Sequence, residues 1–149
     1  MKLESEITQY NFRNIYHKAA INLIFTFNWL YNLQSGIFKP FNLTIQQFNI
    51  LRILRGQYPK PATIKLLKER MLDKMSDASR IVEKLRAKGL VERQICSEDR
   101  RTVDVLISEK GLNLLENLDE KNDELDKILS HLNVEELKIL NGLLDKLRG

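Results

Sequence analysis

A mainly α domain with one small β-hairpin, an α+β arrangement, is the fold class this sequence predicts, and three observations predict it. Apolar residues recur at three- and four-residue steps through most of the 149 positions, as they do on amphipathic helices. Two short segments, Leu90 to Ile95 and Thr102 to Ile107, alternate apolar and polar residues instead, as half-buried strands do. Around them Gly89 supplies a left-handed helix stop, Cys96 to Arg101 a polar tip and Ser108 a new helix cap, in unbroken order. Helix, stop, strand, tip, strand, helix is the order of a winged helix-turn-helix, here flanked by long N- and C-terminal helices.

Phe12, Ile15, Tyr16, Ala19, Leu23, Phe27 and Leu30 keep a helical spacing over about 8–34, with Gly36 and Pro40 to end the helix. Thr44 with Gln47 three residues later reads as a capping box. It opens a helix over about 44–55 that buries Ile45, Phe48, Leu51 and either Ile53 or Leu54. Gly56 and the Pro59/Pro61 pair force an extended connection before a helix from near Ala62 to about Leu72. After the Asp73-Lys74-Met75 turn, Ser76 or Asp73 can cap the next helix, which runs to about Lys88. Its Ile81, Val82 and Leu85 face inward, while Asp77, Ser79, Arg80, Glu83, Lys84 and Lys88 face largely outward. Ser108 caps a helix carrying Leu112, Leu115, Leu118, Leu125, Ile128 and Leu129. Asn133 with Glu136 caps a last one carrying Val134, Leu137, Leu140, Leu143, Leu144 and Leu147.

Composition narrows the function. Positions 52–101 hold 14 Lys/Arg against 7 Asp/Glu, whereas the rest of the chain holds 10 against 13, so cationic charge suited to phosphate is concentrated in the winged segment. The lone Cys96 cannot form an internal bridge, and no early apolar run ends in a cleavage site. Apolar stretches break far short of a membrane span. A cytoplasmic protein without a membrane partner is expected. His17 and His131 have no metal-ligand spacing, and no phosphate loop or nucleophile motif is present. Neither an enzyme nor a metal or cofactor site is therefore expected.

Ser76, Asp77 and Ser79 fall in the first turns of the helix before Gly89, where short polar side chains and the helix N-terminus meet phosphates and base edges. Arg80, on the exposed face, can make two hydrogen bonds to a guanine edge. Asp77 would accept from a cytosine amino group or orient Arg80, and Lys84 suits phosphate as a point charge. At the hairpin tip, Asp99-Arg100-Arg101 sets two guanidiniums beside a carboxylate that can fix one of them for entry into a narrow minor groove. Double-stranded DNA is thus the expected partner. Cys96, near Arg93, Arg100 and Arg101, reads as a structural thiol more readily than as a redox sensor.

The run from Ser76 to Gly111, with its Ser-Arg-Ile-Val-Glu-Lys-Leu helix, Lys-Gly-Leu-Val-Glu-Arg strand start, Glu-Asp-Arg-Arg wing and Ser-Glu-Lys-Gly helix start, resembles the multiple-antibiotic-resistance regulator (MarR) family. The helix order extends the likeness over nearly the whole chain. The resemblance implies a single domain over 1–149, with a dimerisation region at about 8–34 and 108–149 and a DNA-binding lobe at about 44–107. It implies a homodimeric transcription regulator, more readily a repressor, on a pseudo-palindromic operator. It also implies release by a small anionic or phenolic ligand, for which Tyr16, His17, Trp29 and Arg52 are the candidate residues where dimer helices meet lobe. The alternative is a winged-helix module that holds a protein partner and has no operator.

Overall fold

The computed structural model describes residues 1–95 and 103–149, arranged as two compact units, Met1–Ile45 and Gln46–Gly149. The molecule is mostly helical with a small antiparallel sheet, the fold class expected. Among the described residues no helix is long and apolar enough to cross a membrane.

In the first unit a short helix α1 (Leu3–Glu6) precedes the long α2 (Ile15–Phe38). α2 starts later than its apolar spacing suggests because Asn14 is the cap: its side-chain oxygen accepts the His17 N–H at 2.9 Å. Gly36 does not end it either. A helix-interior glycine costs only about 1 kcal/mol, and the stop is set by the following 3₁₀ turn Lys39–Phe41, which holds Pro40, and by Asn42 at φ 54°. An ion pair between Lys18 and Glu4 ties α1 to α2 and, through its hydrogen bond, holds the Glu4 carboxyl below the ordinary glutamate range. Phe38 is the buried residue of α2, whereas Ile15, Tyr16, Leu23, Ile24 and Phe27 are exposed.

The second unit is built around α3 (Ile45–Gln57), which buries Ile50, Leu51 and Leu54. Ile45 and Phe48, expected inside, are half-buried. Next comes a strand that the sequence does not announce, β1 (Ala62–Thr63), where a helix start was expected. Two residues carry no readable period, and what makes them a strand is a distant partner: Ala62 faces Val105 and Thr63 faces Asp104. Thr63 then caps α4 (Ile64–Arg70), its hydroxyl accepting the Leu66 N–H at 3.1 Å.

Helix α5 (Ala78–Ala87) buries Ala78, Val82 and Leu85 and ends before Gly89, whose φ of 72° is the left-handed stop expected there. Strands β2 (Val91–Ile95) and β3 (Val103–Ile107) pair from Val91–Ile107 to Ile95–Val103, giving the order β1-β3-β2 among the described residues. β3 alternates as expected, with Val105 and Ile107 buried. β2 does not: beyond Val91 it is exposed, Ile95 included.

Ser108 caps α6 (Glu109–Asp119) as expected, accepting the Gly111 N–H at 3.1 Å while donating its own proton to the Gly89 carbonyl at 2.7 Å. One residue thus fastens the helix to the end of α5. The helix expected to carry on through Leu129 breaks at Glu120 and Lys121 and resumes as α7 (Asn122–Lys127). The polar run from Asp119 to Glu124 offers no apolar stripe that would pin a straight continuation. The last helix, α8 (Val134–Arg148), opens with the expected capping box of Asn133 and Glu136, and none of its residues is buried.

Candidate nucleic-acid interface

The turn before α5 is ordered by one carboxylate. Asp73 accepts the Met75 N–H at 3.0 Å and the Ser76 hydroxyl at 2.6 Å, and these bonds hold its pKa below the ordinary aspartate range. Asn49 of α3 accepts the Leu72 N–H at 3.0 Å, securing the start of the same turn. The helix cap is neither Asp73 nor Ser76 but Asp77, which accepts the Arg80 N–H at 3.1 Å. Asp73 is committed to the turn because Met75 and Ser76 lie two and three residues ahead of it, the reach of an aspartate turn.

α5 therefore presents Ser79, Arg80 and Lys84 on an exposed face, with Asp77 exposed and Ser76 half-buried at its start. A cleft of about 400 Å³ opens between α4 and the start of α5, lined by Ile64, Lys68, Met75, Ser76, Asp77, Ala78 and Ser79. Of the residues read from the sequence, Ser76, Asp77 and Ser79 line this cleft, and Arg80 and Lys84 are exposed further along α5. The wing residues Asp99, Arg100 and Arg101, with Cys96, lie outside the described residues.

Other contacts here have no local sequence signal. Glu83 of α5 pairs with Arg86 one turn on, at 3.2 Å, and with Arg93 of β2, so the helix and the first wing strand share a carboxylate. Desolvation works to raise the Glu83 carboxyl, but Arg86 and Arg93 outweigh it and leave it below the usual range. Lys88, expected to face outward, turns back to donate to the buried Gln47 side chain of α3 at 3.0 Å. Desolvation there, with the nearby charge of Lys84, lowers its pKa. The bond helps to satisfy the polar side chain of a buried residue.

The residues expected for a small ligand fall on separate elements. Tyr16 is 82 % exposed on α2, and Trp29 is half-buried on the same helix. His17 Nδ1 accepts the Arg13 N–H at 3.3 Å, and its ring meets Phe12 edge-on. Arg52 of α3 lies over the Phe48 ring and 3.5 Å from Asp119. Asp119 is bound chiefly by Arg55, through two hydrogen bonds of 2.7 and 2.9 Å. Among the described residues no group of three or more His, Cys, Asp or Glu side chains could hold a metal.

Three helices, the third presenting a polar and cationic face, with a three-stranded sheet that leads into a hairpin, define a winged helix-turn-helix protein. A MarR-family profile matches residues 43–103, from the end of the first unit to the second wing strand. The crystal structure of a MarR transcription factor from Planctomyces limnophilus is 30 % identical over 91 % of this chain and 98 % of that one, with a TM-score of 0.69. The chain belongs to the MarR family of DNA-binding transcription regulators. A mutant Escherichia coli MarR complexed with operator DNA matches with a TM-score of 0.76 at 24 % identity, covering 99 % of each chain. An organohalide-sensing transcriptional regulator in its 2,4-dichlorophenol-bound form matches with a TM-score of 0.82 at 21 % identity, over 91 % of this chain and 80 % of that one. Family membership sets aside the alternative of a protein-holding module without an operator.

Proposed function

We propose that the chain is a homodimeric repressor that docks two α5 helices in successive major grooves of a pseudo-palindromic operator. The observation that carries this reading is the uncovered Ser79-Arg80-Lys84 face of a helix whose start is capped by Asp77 and braced by the Asp73 turn. Arg80 reads a guanine edge, Lys84 neutralises phosphate, and Ser76 and Ser79 bond to phosphates or base edges. Asp77 acts beside them as the helix cap. Arg100 and Arg101 reach the backbone or minor groove, positioned by Asp99. The winged lobe is the 44–107 segment, and the dimer is built by the N- and C-terminal helical regions.

Dimerisation is supported by apolar surface that a monomer would leave wet: Ile24 and Phe27 on α2, and Ile139, Leu143 and Leu147 on α8, are each 60 % exposed or more. Two lobes must sit about 34 Å apart to share one face of the duplex, so a ligand that shifts either lobe prevents simultaneous docking. A small anionic or phenolic compound is the proposed effector. The dichlorophenol bound by the organohalide-sensing relative supports that ligand class.

The test is fluorescence anisotropy on duplexes selected by the purified protein, titrated with salt. Steeply salt-dependent, sequence-selective binding with two chains per site is expected. The Arg100→Ala/Arg101→Ala variant should lose affinity while keeping its fold. Binding by single chains, or affinity indifferent to both arginines, contradicts the proposal.

A further inference from the structure

The least explained side chain in the helix-turn-helix is apolar. Met75 is 94 % exposed, although it sits in a turn fixed by Asp73, just ahead of the Asp77 cap of α5. No core packing requires a methionine there, and serine or glycine would be the ordinary choice for an exposed turn. It lines the cleft together with the apolar Ile64 and Ala78 and the polar or charged Lys68, Ser76, Asp77 and Ser79. Lys68, Lys74 and Arg80 are exposed in the same segment, alongside the carboxylates of Asp73 and Asp77, so this apolar side chain stands on an otherwise charged and polar surface.

A major groove presents one apolar group to a protein, the 5-methyl of thymine. We propose that Met75 reads thymine, packing its thioether chain against that methyl while the neighbouring serines and Arg80 bond to polar edges and phosphate. The inference rests on the reading that α5 enters the major groove, and it adds a specificity determinant to that docking. An unbranched thioether suits the task because it adapts to irregular apolar surfaces, and because its backbone N–H is already held by Asp73. The occupant is thymine rather than a second protein because the apolar patch is small and continuous with the polar residues that cap and begin α5.

The experiment is a cycle between protein and DNA. Duplexes selected by the parent protein are remade with deoxyuridine in place of thymidine at each half-site position in turn, deleting single methyl groups. The parent is expected to lose about fourfold in affinity at the contacted position, the worth of one buried methyl-sized group. Met75→Ser should bind the thymine and uracil duplexes equally, and Met75→Leu should restore the discrimination. Leu72→Ser, at another exposed apolar turn residue (83 %) that does not line the cleft, should keep it. A parent indifferent to uracil at every position, or a Met75→Ser variant as sensitive as the parent, overturns the proposal. Arg80→Ala on the same duplexes keeps the two ideas apart. If it loses affinity while the methionine–methyl coupling is missing, the thymine contact alone is wrong. If it changes nothing, the docking of α5 is wrong.

Discussion

Asp77 meets opposing demands at one position. In the proposed docking its carboxylate would repel phosphates, yet its oxygen satisfies the Arg80 N–H that would otherwise be an unpaired donor of the first turn. Capping decides for it, since losing a cap costs about 0.5–2 kcal/mol. Asp77→Ala should lower the urea midpoint accordingly, whereas Asp77→Ser should keep the stability and tighten binding to DNA of any sequence. A serine variant that loses discrimination at one base pair would instead assign Asp77 to cytosine. Arg80 and Lys84 separate by the same kind of reasoning, a planar fork against a point charge. Arg80→Ala should cost about 1–3 kcal/mol per half-site and relax preference at one position, while Lys84→Ala should weaken all sequences alike and reduce the salt slope by about one. Anisotropy on matched and mismatched duplexes at several salt concentrations measures both. These side chains could be named before any coordinates because exposure follows from helical spacing around Val82 and Leu85. The pairing of Glu83 with Arg93 and the exposure of Met75 could not be read the same way, because they depend on what stands beside each residue.

Between elements, one close approach falls at Gly111. A Cβ there would stand 2.4 Å from the Leu90 carbonyl oxygen and 2.7 Å from an Ile107 side-chain carbon, so α6 can lie against the base of the hairpin only with glycine. Gly111→Ala in a free helix would stabilise by about 1 kcal/mol. Here it should destabilise by about 1–3 kcal/mol through overpacking, and thermal unfolding reads the sign directly. The Arg55–Asp119 fork joins α3 to the end of α6 and, chiefly through that hydrogen bond, depresses the Asp119 pKa. A carboxyl whose folded pKa is depressed contributes stability above its unfolded value and loses it as pH falls through the folded one. Asp119→Asn should therefore narrow the stability gap to the parent as the pH drops below about 4, the ordinary aspartate range. Because Asp119 is 41 % exposed, the gap at neutral pH should stay near or below about 1 kcal/mol. Chemical denaturation across pH 2–7, about the span of carboxylate titration, shows whether the two curves converge.

At the scale of the whole molecule, α8 leaves Ile139, Leu143 and Leu147 in solvent and has no buried residue. Leu143→Asp removes nothing from the core of a single chain, so each chain should stay folded by circular dichroism. In the proposed dimer the same change buries an unpaired charge, a loss of several kcal/mol, so sedimentation should find monomers and operator affinity should fall. A parent that sediments as a folded monomer at micromolar concentration, or a Leu143→Asp variant that remains dimeric, would remove α8 from the interface.

The sequence by itself determined whatever short-range chemistry controls. The periods of the main helices, the caps at Ser108 and Asn133, the left-handed Gly89 and the alternation of β3 all depend on residues within a few positions of each other. The order of these pieces was enough to reach the family and the cationic face of α5. Tertiary structure decided what depends on partners far along the chain. β1 is a strand because Val105 and Asp104 lie beside it, Lys88 donates to the side chain of the buried Gln47 of α3, and Gly111 is required because the Leu90 carbonyl and the Ile107 side chain come close. Even the choice of Asp77 over Asp73 or Ser76 as the cap waited on which turn Asp73 closed. Neighbouring residues bias backbone angles at once, whereas these long-range contacts exist only after the chain has closed the loops that bring them together.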